Sequence, residues 1–174
     1  MKMTSRRLVV ACIGLAFLTA GRATAQSSPI TLAQLSKMNV DELTHLFEQA
    51  SPGEIPRGYA RGKVLLLTDS KRPRLQARLA NLAWKGKHFE ADGAYINQWP
   101  GFQALRGQAE LGISSYDGKP CLLLQYPPET PLFGNTYDEM RQIAPGLYLA
   151  RLYERCPCPH FNGYIAIQVC CSCP

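Results

Sequence analysis

From Gly86 onward the chain becomes a succession of short, partly alternating apolar segments separated by turn residues, and this run most constrains the fold. Asp92-Gly93 divides "KHFEADGAYINQW" into two strand-like pieces, and Asp117-Gly118 precedes "CLLLQY". Asp-Gly flanked by such segments is a strong hairpin signal. "FQALRGQAELGIS" alternates in part, and its Gly107 suggests a bulge. "GLYLARLYERC" and "GYIAIQVCC" read as two strands around "PCPHFNG". Between them, "PPETPLFGN" reads as a loop and "TYDEMRQI" as a turn of helix or a structured loop.

The residues before this run have helical period. In "TLAQLSKMNVDELTHLFEQA", Leu43, Leu46, Phe47 and Ala50 recur on one face, with Asp41 and Glu42 in the first turn. "SPGEIPRG" ends the helix. "GKVLLLTD" is a buried strand over 63–68, and "KRPRLQARLANLAWKG" is again helical, with Leu75, Leu79, Leu82 and Ala83 on one side. Helices followed by short antiparallel strands predict an α+β chain, with N-terminal helices leading into a small β-barrel or half-barrel.

The N-terminus reads as an address. Lys2, Arg6 and Arg7 precede an apolar run from Leu8 to Ala20, and Ala23 and Ala25 give a small-x-small cleavage pattern. This predicts a signal peptide over 1–25 and a single globular domain over 26–174, secreted or periplasmic. The run is short of the ~20 residues needed to span a bilayer, so no stable membrane insertion is expected after its removal. Lys2, Arg6, Arg7 and Arg22 would leave with the signal, and no acid leaves with them, so the formal net charge of +6 overstates the basicity of the mature chain. Nucleic acid is therefore not an expected partner. The remaining charge is uneven: 57–87 holds nine basic residues and one acid, Asp69.

Of seven cysteines, Cys12 would be lost with the signal. The other six, Cys121, Cys156, Cys158, Cys170, Cys171 and Cys173, are even in number in an exported chain and are read as disulfide candidates in a Cys-rich tail. The expected arrangement ties Cys121 to one tail cysteine. The tail spacings, C-x-C and C-C-x-C, match neither paired CxxC zinc sites nor a CxxC redox motif. Metal or redox chemistry of the tail is the alternative, since thiolate-rich segments bind soft ions.

"W-K-G-K-x-F", "DGKPCLLLQY" and "DEMRQIAPGLYLARLY" resemble small, lipocalin-like β-barrel proteins, including those with a GxWxG motif. The likeness runs from about Gly53 to Gln168. It departs from GxWxG at Leu82, which stands where the first glycine would be, and it does not account for the cysteine tail. It implies a barrel holding an apolar or amphipathic ligand, with no cofactor. Trp84, Tyr95, Trp99, Asp138, Arg141 and Tyr148 are the expected ligand-binding residues. Trp84 and Trp99 offer apolar bodies with one N–H donor each. Arg141 is expected at the barrel mouth, where it would hold a polar head. Asn97 completes the "YINQW" element. No GxSxG, HExxH or P-loop pattern is present, so no catalytic or metal-ligating residue is assigned. An enzyme using His88 and Asp138 in the same cavity is the remaining alternative. Of the other histidines, His45 lies on the first helix and His160 in the last hairpin.

Overall fold

The computed structural model describes residues 30–155 and 157–169. Eight strands close into an antiparallel barrel: β1 (Gly58–Leu67), β2 (Gly86–Phe89), β3 (Ala94–Trp99), β4 (Phe102–Ile113), β5 (Pro120–Gln125), β6 (Thr136–Ala144), β7 (Leu147–Glu154) and β8 (His160–Val169). Each strand pairs with its neighbour in sequence, and β8 closes on β1. Antiparallel neighbours need only short links. The Asp-Gly segments supply two of them, with Gly93 (φ +86°) and Gly118 (φ +68°) in the left-handed region.

The segment "TYDEMRQI", expected as a helical turn or loop, is strand β6 instead, and it pairs with both β5 and β7. Every residue from Tyr137 to Arg141 is buried. A strand covered on both faces loses the alternation that marks a half-buried one.

Both faces of β6 are covered: the barrel core lies on one side, and on the other Ser114 and Ser115 meet Glu139 while Arg141 stacks on Phe47. Leu122, Leu124, Met140, Ala150, Ile165 and Ile167 belong to the core inside the barrel. A second core lies outside β7, β8 and β1, beneath α1 (Leu32–Leu35) and α2 (Val40–Gln49). Both helices begin with reciprocal caps, Thr31 with Gln34 and Asn39 with Glu42. Leu43 and Phe47 of α2 pack among Leu147, Leu149, Tyr164 and Ala166.

The third helix, α3 (Pro73–Ala83), links β1 to β2. The short β2 pairs only with Gly58–Arg61, which leaves the rest of that β1 edge without a strand. The helix covers this edge. Asn81 accepts from the Val64 N–H and donates to the Val64 carbonyl, both at 2.8 Å, replacing the missing ladder partner. Ala77 is the buried residue of α3, whereas Leu75, Leu79 and Leu82, which its sequence sets on one face, point to solvent. Small alanines let the helix approach the strand closely, so the leucines take the outer side.

Residues 51–57 pack against the opposite end of the barrel from α3. Ser51 bridges to Gln142, Tyr148 donates to the Glu54 carbonyl at 2.8 Å, and Ile55 packs against the interior core. No helix among the described residues is long and apolar enough to cross a membrane.

Candidate functional site

A cavity of about 440 Å³ lies inside the barrel beneath α3. Trp84, Trp99, Tyr126, Phe133, Leu152 and Ile165 supply its apolar walls, and Ala80 and Ala83 of α3 line it from above. Lys87, Asn97 and Asp138 give it a polar floor.

The floor follows from strand period. Lys87 and Phe89 of β2 share the inward face, as do Tyr95, Asn97 and Trp99 of β3 and Asp138 and Met140 of β6. The Lys87 ammonium donates to the Tyr126 hydroxyl at 2.8 Å and to Asn97 Oδ1 at 3.2 Å. It lies 3.6 Å from Asp138 Oδ2 and 4.3 Å from the centre of the Tyr95 ring. Asn97 also accepts from Trp84 Nε1 at 2.9 Å and donates to Tyr126 at 2.8 Å. A bulge completes its shell: Ile96 pairs with Arg106 and Asn97 with Ala104, which leaves Leu105 as the extra residue. Leu105 has φ +66°, and its carbonyl accepts from Asn97 Nδ2 at 3.0 Å. A left-handed backbone at a non-glycine residue is strained and persists only where its surroundings hold it.

Two glycines seat the wall and floor. A Cβ on Gly62 would stand 2.3 Å from the Trp84 indole, and one on Gly86 (φ +140°) would stand 2.1 Å from the Ala60 carbonyl oxygen. The backbone and the indole therefore approach as only glycine permits.

Burial pushes the Asp138 carboxyl above its usual range, and the charge and hydrogen bond of Lys87 oppose that rise. Burial likewise raises the Tyr95 phenol, reinforced by Tyr126 and Asp138. The lining is not balanced in hydrogen bonds: Trp99 Nε1 and Asn162 Oδ1 are buried and make none within the protein. One is a donor and the other an acceptor.

Of the six expected ligand-binding residues, Trp84, Trp99 and Asp138 line the cavity. Tyr95 lies against Lys87 in the core and is not part of the lining. Tyr148 points inward at the far end, on Glu54. Arg141 does not reach the mouth. Strand period puts it on the outer face of β6, wholly buried, where it makes a two-pronged ion pair with Asp117 at 2.7 and 2.8 Å and donates to the carbonyls of Phe47, Lys119 and Pro120. Trp99 and Arg141 therefore share no site. Glu139, adjacent to Asp138, also turns outward and accepts from Ser114 and Ser115 at 2.5–2.6 Å. His88 alternates away from Lys87, so it does not face Asp138.

Lys87 and Tyr126 were absent from the expected site, and Asn97 was not assigned a ligand role. The two-residue period could have found them: Lys87 shares a face with Phe89, and Asn97 lies between Tyr95 and Trp99 on theirs. A lone lysine in a basic stretch gives no other sign of burial.

Among the described residues no disulfide links Cys121 to the tail. Cys121 has a free thiol, buried on the outer side of β5, and Cys158 is free and exposed. Cys156, Cys170, Cys171 and Cys173, and the signal segment, lie outside the described residues. Among the described residues no three His, Cys, Asp or Glu side chains cluster as metal ligands.

No protein-family model and no curated protein matches the chain. Its fold is similar to that of a protein from Thermomonospora curvata known from a crystal structure, at 15% identity and a TM-score of 0.55, over 79% of this chain and 91% of the other. At that identity the likeness concerns the barrel fold alone.

Proposed function

We propose that this chain is an exported, lipocalin-like binding protein that holds a small apolar or amphipathic ligand in the barrel cavity. The observation that carries the reading is the pairing of an aromatic-walled cavity with two buried polar atoms that have no partner, Trp99 Nε1 and Asn162 Oδ1. Buried polar groups are nearly always hydrogen-bonded, so two left over on side chains that line a cavity favour a molecule that supplies the missing acceptor and donor. The floor suits a ligand without a carboxylate at its buried end, because the Lys87 ammonium is already occupied by Asp138, Tyr126 and Asn97. A carboxylate there would compete with Asp138 for one ammonium. Export rests on the N-terminal sequence.

The test is titration with an environment-sensitive apolar dye, together with solvent extraction of the purified protein for copurified lipid. Saturable dye binding is expected, weakened by Trp99→Ala with the fold retained. That substitution costs ~3 kcal/mol or less in stability if the indole is not fully core. Absence of saturable binding, or binding indifferent to Trp99, rejects the reading.

A further inference from the structure

The α3 helix is built with its larger apolar residues outward. At 100° per residue, Leu75, Leu79 and Leu82 form one stripe opposite Ala77 and Ala80, the alanines that meet the barrel. The three leucines are 45%, 57% and 69% exposed. Scattered exposed leucines need no explanation, but a stripe along one helix does.

A second observation says what would cover it. Arg72 precedes the helix, and Arg78 borders the stripe. Beside it an open groove is lined by Arg61, Lys63, Arg78 and Lys85, with Trp84 within it. Among the described residues none of these five cations makes an ion pair, and the groove lining contains no acid. Apolar residues on a helix with unpaired cations beside them match the two attractions of an interfacial helix: apolar burial at the headgroup boundary and charge toward anionic lipid. A second copy of this chain would bring like charges together around the stripe, which disfavours it as the occupant.

We infer that α3 docks the barrel on an anionic lipid bilayer surface, with Leu75, Leu79 and Leu82 entering the interface and the groove cations meeting phosphate headgroups. The same helix walls the cavity through Ala80 and Ala83, so docking sets the cavity's lid against the membrane. The inference does not depend on what the cavity holds.

Sedimentation of the purified protein with vesicles decides it. Vesicles of phosphatidylcholine and phosphatidylglycerol in equal parts should retain the protein, and pure phosphatidylcholine should retain it at least about tenfold less, with added salt removing the difference. Leu79→Glu changes only an exposed side chain, and the double change Arg72→Glu/Arg78→Glu keeps the stripe. Each should lower partitioning about tenfold or more while leaving circular dichroism and apolar dye binding unchanged. No retention on the anionic vesicles overturns the proposal, as does retention indifferent to both variants. If light scattering shows a dimer that Leu79→Glu dissociates, with no vesicle binding, the stripe belongs to a second copy and the membrane reading falls.

Discussion

Lys87 Nζ and Asp138 Oδ2 stand 3.6 Å apart inside the barrel, with side chains only 2% and 4% exposed. Desolvating two charges costs most of what their attraction returns, so such a pair is a weak source of stability but is costly to break on one side. Lys87→Met is expected to destabilise the protein by about 3 kcal/mol, and Lys87→Met/Asp138→Leu to recover most of that. The loss should also depend on pH. Burial already raises the Asp138 carboxyl, and losing Lys87 removes what opposes the rise. A carboxyl raised above its unfolded value of about 4 favours the fold below that value, and the favour is lost as pH rises through the folded value. The deficit of Lys87→Met relative to the parent should therefore shrink at acidic pH and be largest near neutrality. Urea denaturation of both proteins across that range checks it.

The Arg141–Asp117 pair, on the outer face of β6, works in the opposite direction. The hydrogen bond from Arg141 is the chief cause holding the Asp117 carboxyl down, at about 2. A depressed carboxyl adds stability above its unfolded value of about 4, and this stability is lost as pH falls through the folded value. Asp117→Asn leaves a buried guanidinium with carbonyl partners only, and should cost about 3 kcal/mol at neutral pH. Its denaturation midpoint should converge on that of the parent as pH approaches 2. A constant gap across the range would show that the pair is not what links the loop before β5 to β6 and α2.

Gly86 tests the seat of the cavity without touching its lining. Its φ of +140° and the 2.1 Å separation of a built Cβ from the Ala60 carbonyl leave no room for alanine. Gly86→Ala should destabilise by about 2 kcal/mol or more, because strain and backbone displacement add. It should also weaken dye binding, since Lys87 follows directly. Gly101→Ala is the control: its φ is also positive, at +83°, but nothing lies within 4 Å of the added methyl.

The barrel was legible where one strand face meets water. The Asp-Gly segments marked reversals because they demand backbone conformations that few residues adopt. Strand β6 was not legible, because its outer face is covered only by segments distant in sequence: Ser114 and Ser115 on Glu139, Ser115 on Tyr137, and Phe47 of α2 on Arg141. For the same reason Arg141 looked like a cavity residue. Its charge suggested a ligand, and nothing local announced Asp117 or the Phe47 carbonyl. In α3 the leucine period marked a helix, but periodicity does not say which neighbour the apolar face meets. Two alanines and Asn81 turned out to make the contact. Trp84 and Trp99 do line the cavity, and what marked them in the sequence was a large apolar body with a single N–H donor.

Cys121 and Cys158 should differ sharply in reactivity. The Cys121 thiol is wholly buried, and burial, reinforced by the charge of Glu139, pushes it up to about 12. Thiolate is the reactive form, so at neutral pH both protonation and access protect it. Cys158 is exposed in the turn before β8 and lacks the protection of burial. Brief treatment of the native, unreduced protein with iodoacetamide, followed by peptide mass analysis, should label Cys158 and leave Cys121 unmodified. Denaturation without reductant should then expose Cys121 to the reagent. Labelling of Cys121 in the native state would mean that the outer face of β5 opens readily. Failure to label it after denaturation without reductant, with labelling restored by reductant, would show that Cys121 is bridged after all, and would return the chain to the disulfide arrangement that its sequence suggests.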